Sequence, residues 1–303
     1  MSGLLTFFLI AFAMTWSCWI AVITIPLQGV LGTAVFLTGV FAPSLSAIVV
    51  TTWNEGTGAT RALLGRMFQW RVAPGWYLFA VSYMAFVKLA AALVHRAVMG
   101  SWPEFGHLPL PLIVGAIVVS TPVQSGEEIG WRGYALPRLA TRMGFARASI
   151  VLGAIWACWH LPQFFIPGND TSGQSFPVWS VQVVAVSVAM AWVYVGTRGS
   201  LLLTMIMHSA INQTSGIVSG AVAGANDVFT LHASRVAYIA GAILWTLAAY
   251  FLLRMKTLGR PRDGVSSDRS ALATAPADRT EQSRIRSPGY LTDSNRSLAD
   301  YEE

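Results

Sequence analysis

Long apolar runs make up most of this chain, and its polar residues fall in short interruptions between them. A bilayer core about 30 Å thick needs about 20 apolar residues, at a helical rise of about 1.5 Å each. On that ruler the pattern predicts about eight transmembrane helices, over 4–25, 29–53, 76–99, 109–131, 147–167, 177–196, 200–220 and 235–255. Trp and Tyr gather near several of the ends (Trp53, Trp76, Tyr77, Trp102, Trp179, Tyr194), as an interfacial belt requires. The expectation is an all-α polytopic membrane protein occupying residues 1–256. From Thr257 to Glu303 the composition turns to Ser, Arg, Asp, Thr and Pro, which reads as a disordered cytoplasmic tail without enough apolar area to fold. No repeat of 20–50 residues, Gly-rich phosphate loop or nucleotide fingerprint interrupts the pattern.

Composition narrows the class. Hydrophobic residues are 54% and charged residues 11%, against about 25% charged in soluble domains. That much apolar surface suits lipid and excludes an ordinary soluble domain. The net charge of +6 could suggest nucleic acid, but its distribution reads as topology and no nucleic-acid partner is expected. Arg61, Arg66 and Arg71 follow the second span, and Arg132, Arg138, Arg142 and Arg147 the fourth. Arg198 follows the sixth, and Arg254, Lys256, Arg260 and Arg262 close the eighth. These twelve share one side, against Arg96 and Arg235 on the other. The positive-inside rule then puts both termini in the cytoplasm. Lys88 and Lys256 are the only lysines among 20 basic residues. That bias suggests a GC-rich genome and a bacterial cytoplasmic membrane. The first span lacks the basic start of a signal peptide and reads as retained. Cys18 and Cys158 both sit in apolar runs, so neither a disulfide framework nor a Cys-based metal site is expected.

Charged residues within spans cost roughly 2.5–3.5 kcal/mol each on insertion scales, so each one asks for a reason. The run Gly126-Glu127-Glu128-Ile129-Gly130-Trp131-Arg132 ends the fourth predicted span. On a helix, Glu128 and Arg132 are four apart and can pair, while Glu127 is rotated about 100° away and faces another helix. His160 lies within an apolar stretch of the fifth span, and alone would read as a packing residue. His208 and Asn212 are four apart in the seventh and project from one face. His95, His107 and His232 lie near span ends or in loops, without such company. Carboxylate, two imidazoles and an amide from three helices could meet in one polar pocket. A carboxylate can take a proton from water, imidazoles can steer it or hold a metal, and an amide can donate to an oxyanion.

The order Glu-Glu-x-x-x-Arg, aromatic-x-x-x-His, His-x-x-x-Asn resembles the CPBP intramembrane proteases. That family includes the CAAX prenyl endopeptidases and the bacterial bacteriocin-processing and immunity (Abi) proteins. Here the motifs are Glu127 to Arg132, Trp156 to His160 and His208 to Asn212, within a protease core of about 109–220. Trp156 stands where the family motif is usually written with Phe. The resemblance implies an all-helical fold with a pocket inside the bilayer opening to the cytoplasm. It implies that Glu127 activates water with His160 assisting, that His208 and Asn212 line the pocket and hold the oxyanion, and that Glu128 and Arg132 support them. Glu127, His160 and His208 could ligate a divalent metal such as zinc, or glutamate could act without one. The expected activity is endopeptidase cleavage of a membrane-associated or small secreted peptide, as an intramembrane (metallo)endopeptidase. The rival readings are a non-catalytic self-immunity or scaffold protein, and a transporter with a proton-coupled glutamate. The transporter is disfavoured by the lack of an inverted repeat.

Overall fold

The computed structural model describes residues 3–27, 29–220, 222 and 227–258. The expected tail lies, from residue 259 onward, outside the described residues. Nine α-helices follow one another among those residues: α1 (Gly3–Thr24), α2 (Gly29–Gly65), α3 (Pro74–Met99), α4 (Leu110–Ser120), α5 (Ser125–Glu128), α6 (Leu136–Trp159), α7 (Phe176–Gly196), α8 (Leu201–Thr214) and α9 (Arg235–Leu258). No strand forms among them; an isolated antiparallel bridge joins Phe105 to Val218. Among the described residues, six helical stretches are long and apolar enough to cross a membrane, and the protein is an integral membrane protein with an all-α fold.

The expected spans and the helices coincide best where apolar residues run unbroken: α1, α3, α7 and α9 begin and end within three residues of the sequence reading. α2 outruns its expected end because the chain turns at Gly56, whose φ of 86° suits glycine, before a polar segment to Gly65. The fourth and fifth expected spans are parts of one helical stretch, Leu110–Phe165. It passes through 3₁₀ geometry at 121–124 and a π-helical turn at Ile129–Ala135, and bends again at Gly144 (φ 75°). Pro137 accounts for part of this: it has no N–H to return to the carbonyl of Gly133. α8 is 14 residues long, about 21 Å at the helical rise, and is shorter than a full crossing.

Two close contacts aim the acidic pair. A Cβ on Gly130 would stand 2.7 Å from the backbone of Pro43, and one on Gly126 3.1 Å from the carbonyl oxygen of Val40. Glycine at both positions lets this segment lie directly on α2, so Glu127 and Glu128 leave the backbone toward other helices. Ser44 Oγ donates to the Ser125 carbonyl at the same seam. Pro43 has a second effect. Its missing N–H frees the Gly39 carbonyl, which accepts from Thr15 Oγ1 at 2.8 Å. Thr15 Oγ1 in turn accepts from Trp159 Nε1 at 2.9 Å, and the Trp159 carbonyl accepts from Trp16 Nε1 at 3.1 Å. α1 and α2 thereby hold the last residue of α6, immediately before His160.

Candidate active site

Glu127, Glu128, Arg132, Trp156, His160 and His208 are all buried, at 0–7% exposure. In an apolar interior each needs a polar partner, and the partners divide into two groups.

In the first, Glu128 Oε1 accepts from Arg132 Nη1 at 2.8 Å and from His208 Nδ1 at 2.8 Å. An arginine and an imidazole therefore converge on one carboxylate oxygen. The Arg132 guanidinium also lies 4.2 Å from the Trp156 ring centroid, a cation–π contact in a desolvated setting. Its Nε and Nη2 find no hydrogen-bond partner among the described residues.

In the second, Glu127 Oε2 accepts from Trp156 Nε1 at 2.7 Å. His160 Nδ1 lies 2.8 Å from the Trp156 carbonyl, one helical turn back. The His160 ring also stands edge-on to Trp159 at 4.7 Å and to Trp179 at 5.1 Å, between α6 and α7. Trp156 touches both groups, with its ring centroid 5.3 Å from His160 and 5.4 Å from His208.

These bonds assign the imidazole protons. A carbonyl can only accept, so His160 carries hydrogen on Nδ1. The arginine-paired carboxylate of Glu128 likewise receives one from His208 Nδ1. In their neutral forms both rings present Nε2 as an acceptor. Among the described residues neither Nε2, nor Glu127 Oε1, makes a hydrogen bond, and none of the three is among the sealed, unpartnered polar atoms. Fixing the second ring nitrogen by a carbonyl or carboxylate is what both catalytic and metal-ligating histidines require. Among the described residues, however, no three His, Cys, Asp or Glu side chains are grouped closely enough to hold a metal ion.

Asn212 is the outlier. It lies one turn beyond His208 on α8, but is exposed, and no hydrogen bond among the described residues joins its side chain to Glu127, His160 or His208. Sequence reading missed three things. Trp156 entered it only as the aromatic residue of the second motif, although its N–H is the group on Glu127. Glu128 entered as the partner of Arg132 alone, although His208 shares its oxygen. The brace from Thr15 was invisible because Thr15 and Trp159 are 144 residues apart. The one available signal was the indole nitrogen, which a Phe at that position would lack.

With this geometry in view, the comparisons are specific. A family model for type II CAAX prenyl endopeptidase, Rce1-like, matches residues 106–214, a range that holds Glu127, Glu128, Arg132, His160, His208 and Asn212. CAAX prenyl protease 2 of Methanococcus maripaludis is 24% identical over 195 residues, covering 59% of this chain and 70% of that protein.

Proposed function

We propose that this chain is an intramembrane endopeptidase of the CPBP type, the reading supported by its likeness to the Rce1-like family model and to a CAAX prenyl protease, in which Glu127 activates the water that hydrolyses a peptide bond. One observation carries the reading: of two adjacent buried carboxylates, Glu128 takes two bonds on one oxygen, from Arg132 and His208, and has its other oxygen sealed, while Glu127 takes one bond, from Trp156, and its other oxygen is not among the sealed atoms. Its second oxygen remains open to a ligand.

In the proposed reaction, Glu127 Oε1 accepts a proton from water as the oxygen attacks the scissile carbonyl carbon. Glu127 then delivers that proton to the leaving amine nitrogen, so one water is consumed and the carboxylate is regenerated. The Nε2 atoms of His160 and His208 are acceptors, suited to orienting the hydrogens of that water. A neutral His208 does not donate from Nε2, so stabilisation of the tetrahedral oxyanion falls to the Asn212 amide. Substrate bound across the end of α8 would bring the exposed Asn212 into the reacting set.

These steps use no metal. A divalent ion, zinc in the sequence-based expectation, would supply Lewis-acid activation of the same water from Glu127, His160 and His208. Those three would have to stand closer together than they do. Elemental analysis of the purified protein decides the matter: less than one zinc per ten chains in active preparations leaves the glutamate route.

The substrate class is a membrane-anchored or small secreted peptide, cut near the cytoplasmic face, with both termini of the enzyme on that side. Labelling of single cysteines from outside should reach 103–107 but not 60–71; the reverse would overturn the orientation. For the activity, wild type and Glu127→Gln are expressed in the same membranes and newly created amino termini are tagged and identified. New termini beside membrane segments or secreted-peptide leaders, present with wild type only, support the reading. Identical profiles from the two proteins overturn it.

A further inference from the structure

Trp156 touches four members of this site, Glu127, Arg132, His160 and His208. Its N–H donates to Glu127 Oε2 at 2.7 Å, its face lies 4.2 Å from the Arg132 guanidinium carbon, and its own carbonyl fixes His160. A phenyl ring at this position could supply the wall and the face but not the N–H.

We infer that Trp156 is a positioning residue for Glu127, holding one carboxylate oxygen so that the other is presented to water; the inference rests on the proposed role of Glu127. Two physical effects combine. A hydrogen bond to an ionised acceptor is shorter and roughly twice as strong as a neutral one, and it restricts rotation of the carboxylate. In addition, a cation over the indole face draws electron density from the ring and leaves the N–H more positive. Arg132 thus reaches Glu127 through Trp156, although its own hydrogen bond is to Glu128. Glu128, Arg132, Trp156 and Glu127 thus form one connected series of contacts between the two carboxylates.

The deciding experiment is spectroscopic and needs no substrate. Ultraviolet resonance Raman spectra of wild type minus Trp156→Phe isolate the indole N–H band of this residue from the other tryptophans. The same difference is then taken in a Glu127→Ala background. The inference expects a strongly hydrogen-bonded band that moves to the free N–H position when Glu127 is removed. A band at the same position in both backgrounds overturns it. Where Trp156→Phe does not fold, 3-benzothienylalanine at 156 replaces it, keeping the indole shape without the N–H. The kinetic counterpart uses an internally quenched farnesylated peptide ending in a CAAX sequence. Loss of the N–H should lower kcat about tenfold, the effect of one charge-assisted hydrogen bond, and leave KM within about twofold. An unchanged kcat, or a loss confined to KM, counts against positioning. Failure of wild type to cut this peptide bears on the substrate and not on Trp156, which the Raman arm then decides.

Discussion

The polar centre has two corners built from neighbouring residues, and they are organised in opposite ways. In the Glu128 corner, the carboxylate is fully buried; one of its oxygens takes two hydrogen bonds, from Arg132 and His208, and the other is sealed without a partner among the described residues. In the Glu127 corner, the carboxylate takes one N–H, from Trp156, and its other oxygen has no partner among the described residues but is not sealed. Both belong to one four-residue helix, α5. The difference comes from where a rotation of about 100° aims each side chain, given a glycine seam that fixes the segment on α2. Burial alone therefore does not mark a reacting group. What separates the two acids is how many bonds the fold makes to each and whether the remaining oxygen is sealed.

That contrast should be broken most severely by Arg132→Ala. It leaves the Glu128 charge buried without its ion partner, a loss of about 3–5 kcal/mol in comparable pairs. The variant should accumulate poorly in membranes and lose activity with its fold, as read by in-membrane yield and thermal midpoint. Glu128→Gln should follow it in direction. Normal yield and midpoint for both would show that this corner is not structural.

Glu127→Gln should act on the other corner in the opposite manner. The amide keeps an oxygen for the Trp156 N–H but cannot serve as a base, so activity should fall by about 10²–10⁴-fold, with the melting temperature within a few degrees of wild type. The neo-terminus profile measures the first and a thermal-shift assay the second. A variant that unfolds would assign Glu127 to structure and reverse the comparison.

The third test lies outside both corners. Thr15→Val keeps the shape but removes the hydroxyl that links Trp159 to Gly39. Two buried groups lose their partner, at about 1–3 kcal/mol. The thermal midpoint should drop while activity per folded molecule changes less than threefold. A loss of activity comparable to that of Glu127→Gln would mean that this brace positions His160 directly.

These cases also mark how far the sequence could be read. The apolar runs gave the helices α1, α3, α7 and α9, because length and hydropathy decide a membrane span with little help from tertiary contacts. They failed along 109–167, where Pro122, Pro137 and Gly144 redirect a continuous helical path by local backbone geometry, and at α8, which stops at Thr214. In the site, helical spacing alone is enough to suggest the Glu128–Arg132 pair, four residues apart. The contact of His208 with Glu128 spans 80 residues, and no periodicity encodes it. Trp156 shows a different limit. Its position was legible but its N–H was not, since only the packing of α5 on α2 sets where Glu127 points. Asn212 shares a helix face with His208 as its spacing requires, yet the face is buried at one residue and exposed at the next turn.

The smallest effect is expected from the pair that most resembles Glu128–Arg132 in chemistry. Arg138 donates to Glu55, joining α6 to α2, and its guanidinium lies over the Tyr134 ring at 3.7 Å. The ions are the same kind, but the side chains are 30% and 44% exposed instead of 1% and 0%. Water already solvates both partners, so pairing adds little and breaking it strands no buried charge; exposed pairs contribute about 0–1 kcal/mol. Arg138 also keeps its ring contact and its bond to the Tyr134 carbonyl when Glu55 is changed. Glu55→Gln should therefore shift the thermal midpoint by no more than about 2 °C and leave the neo-terminus profile intact, with the residual shift shrinking as salt is raised. A drop matching that of Glu128→Gln would show that exposure is the wrong variable. The contrast between the two pairs would then have to come from their neighbours rather than from desolvation.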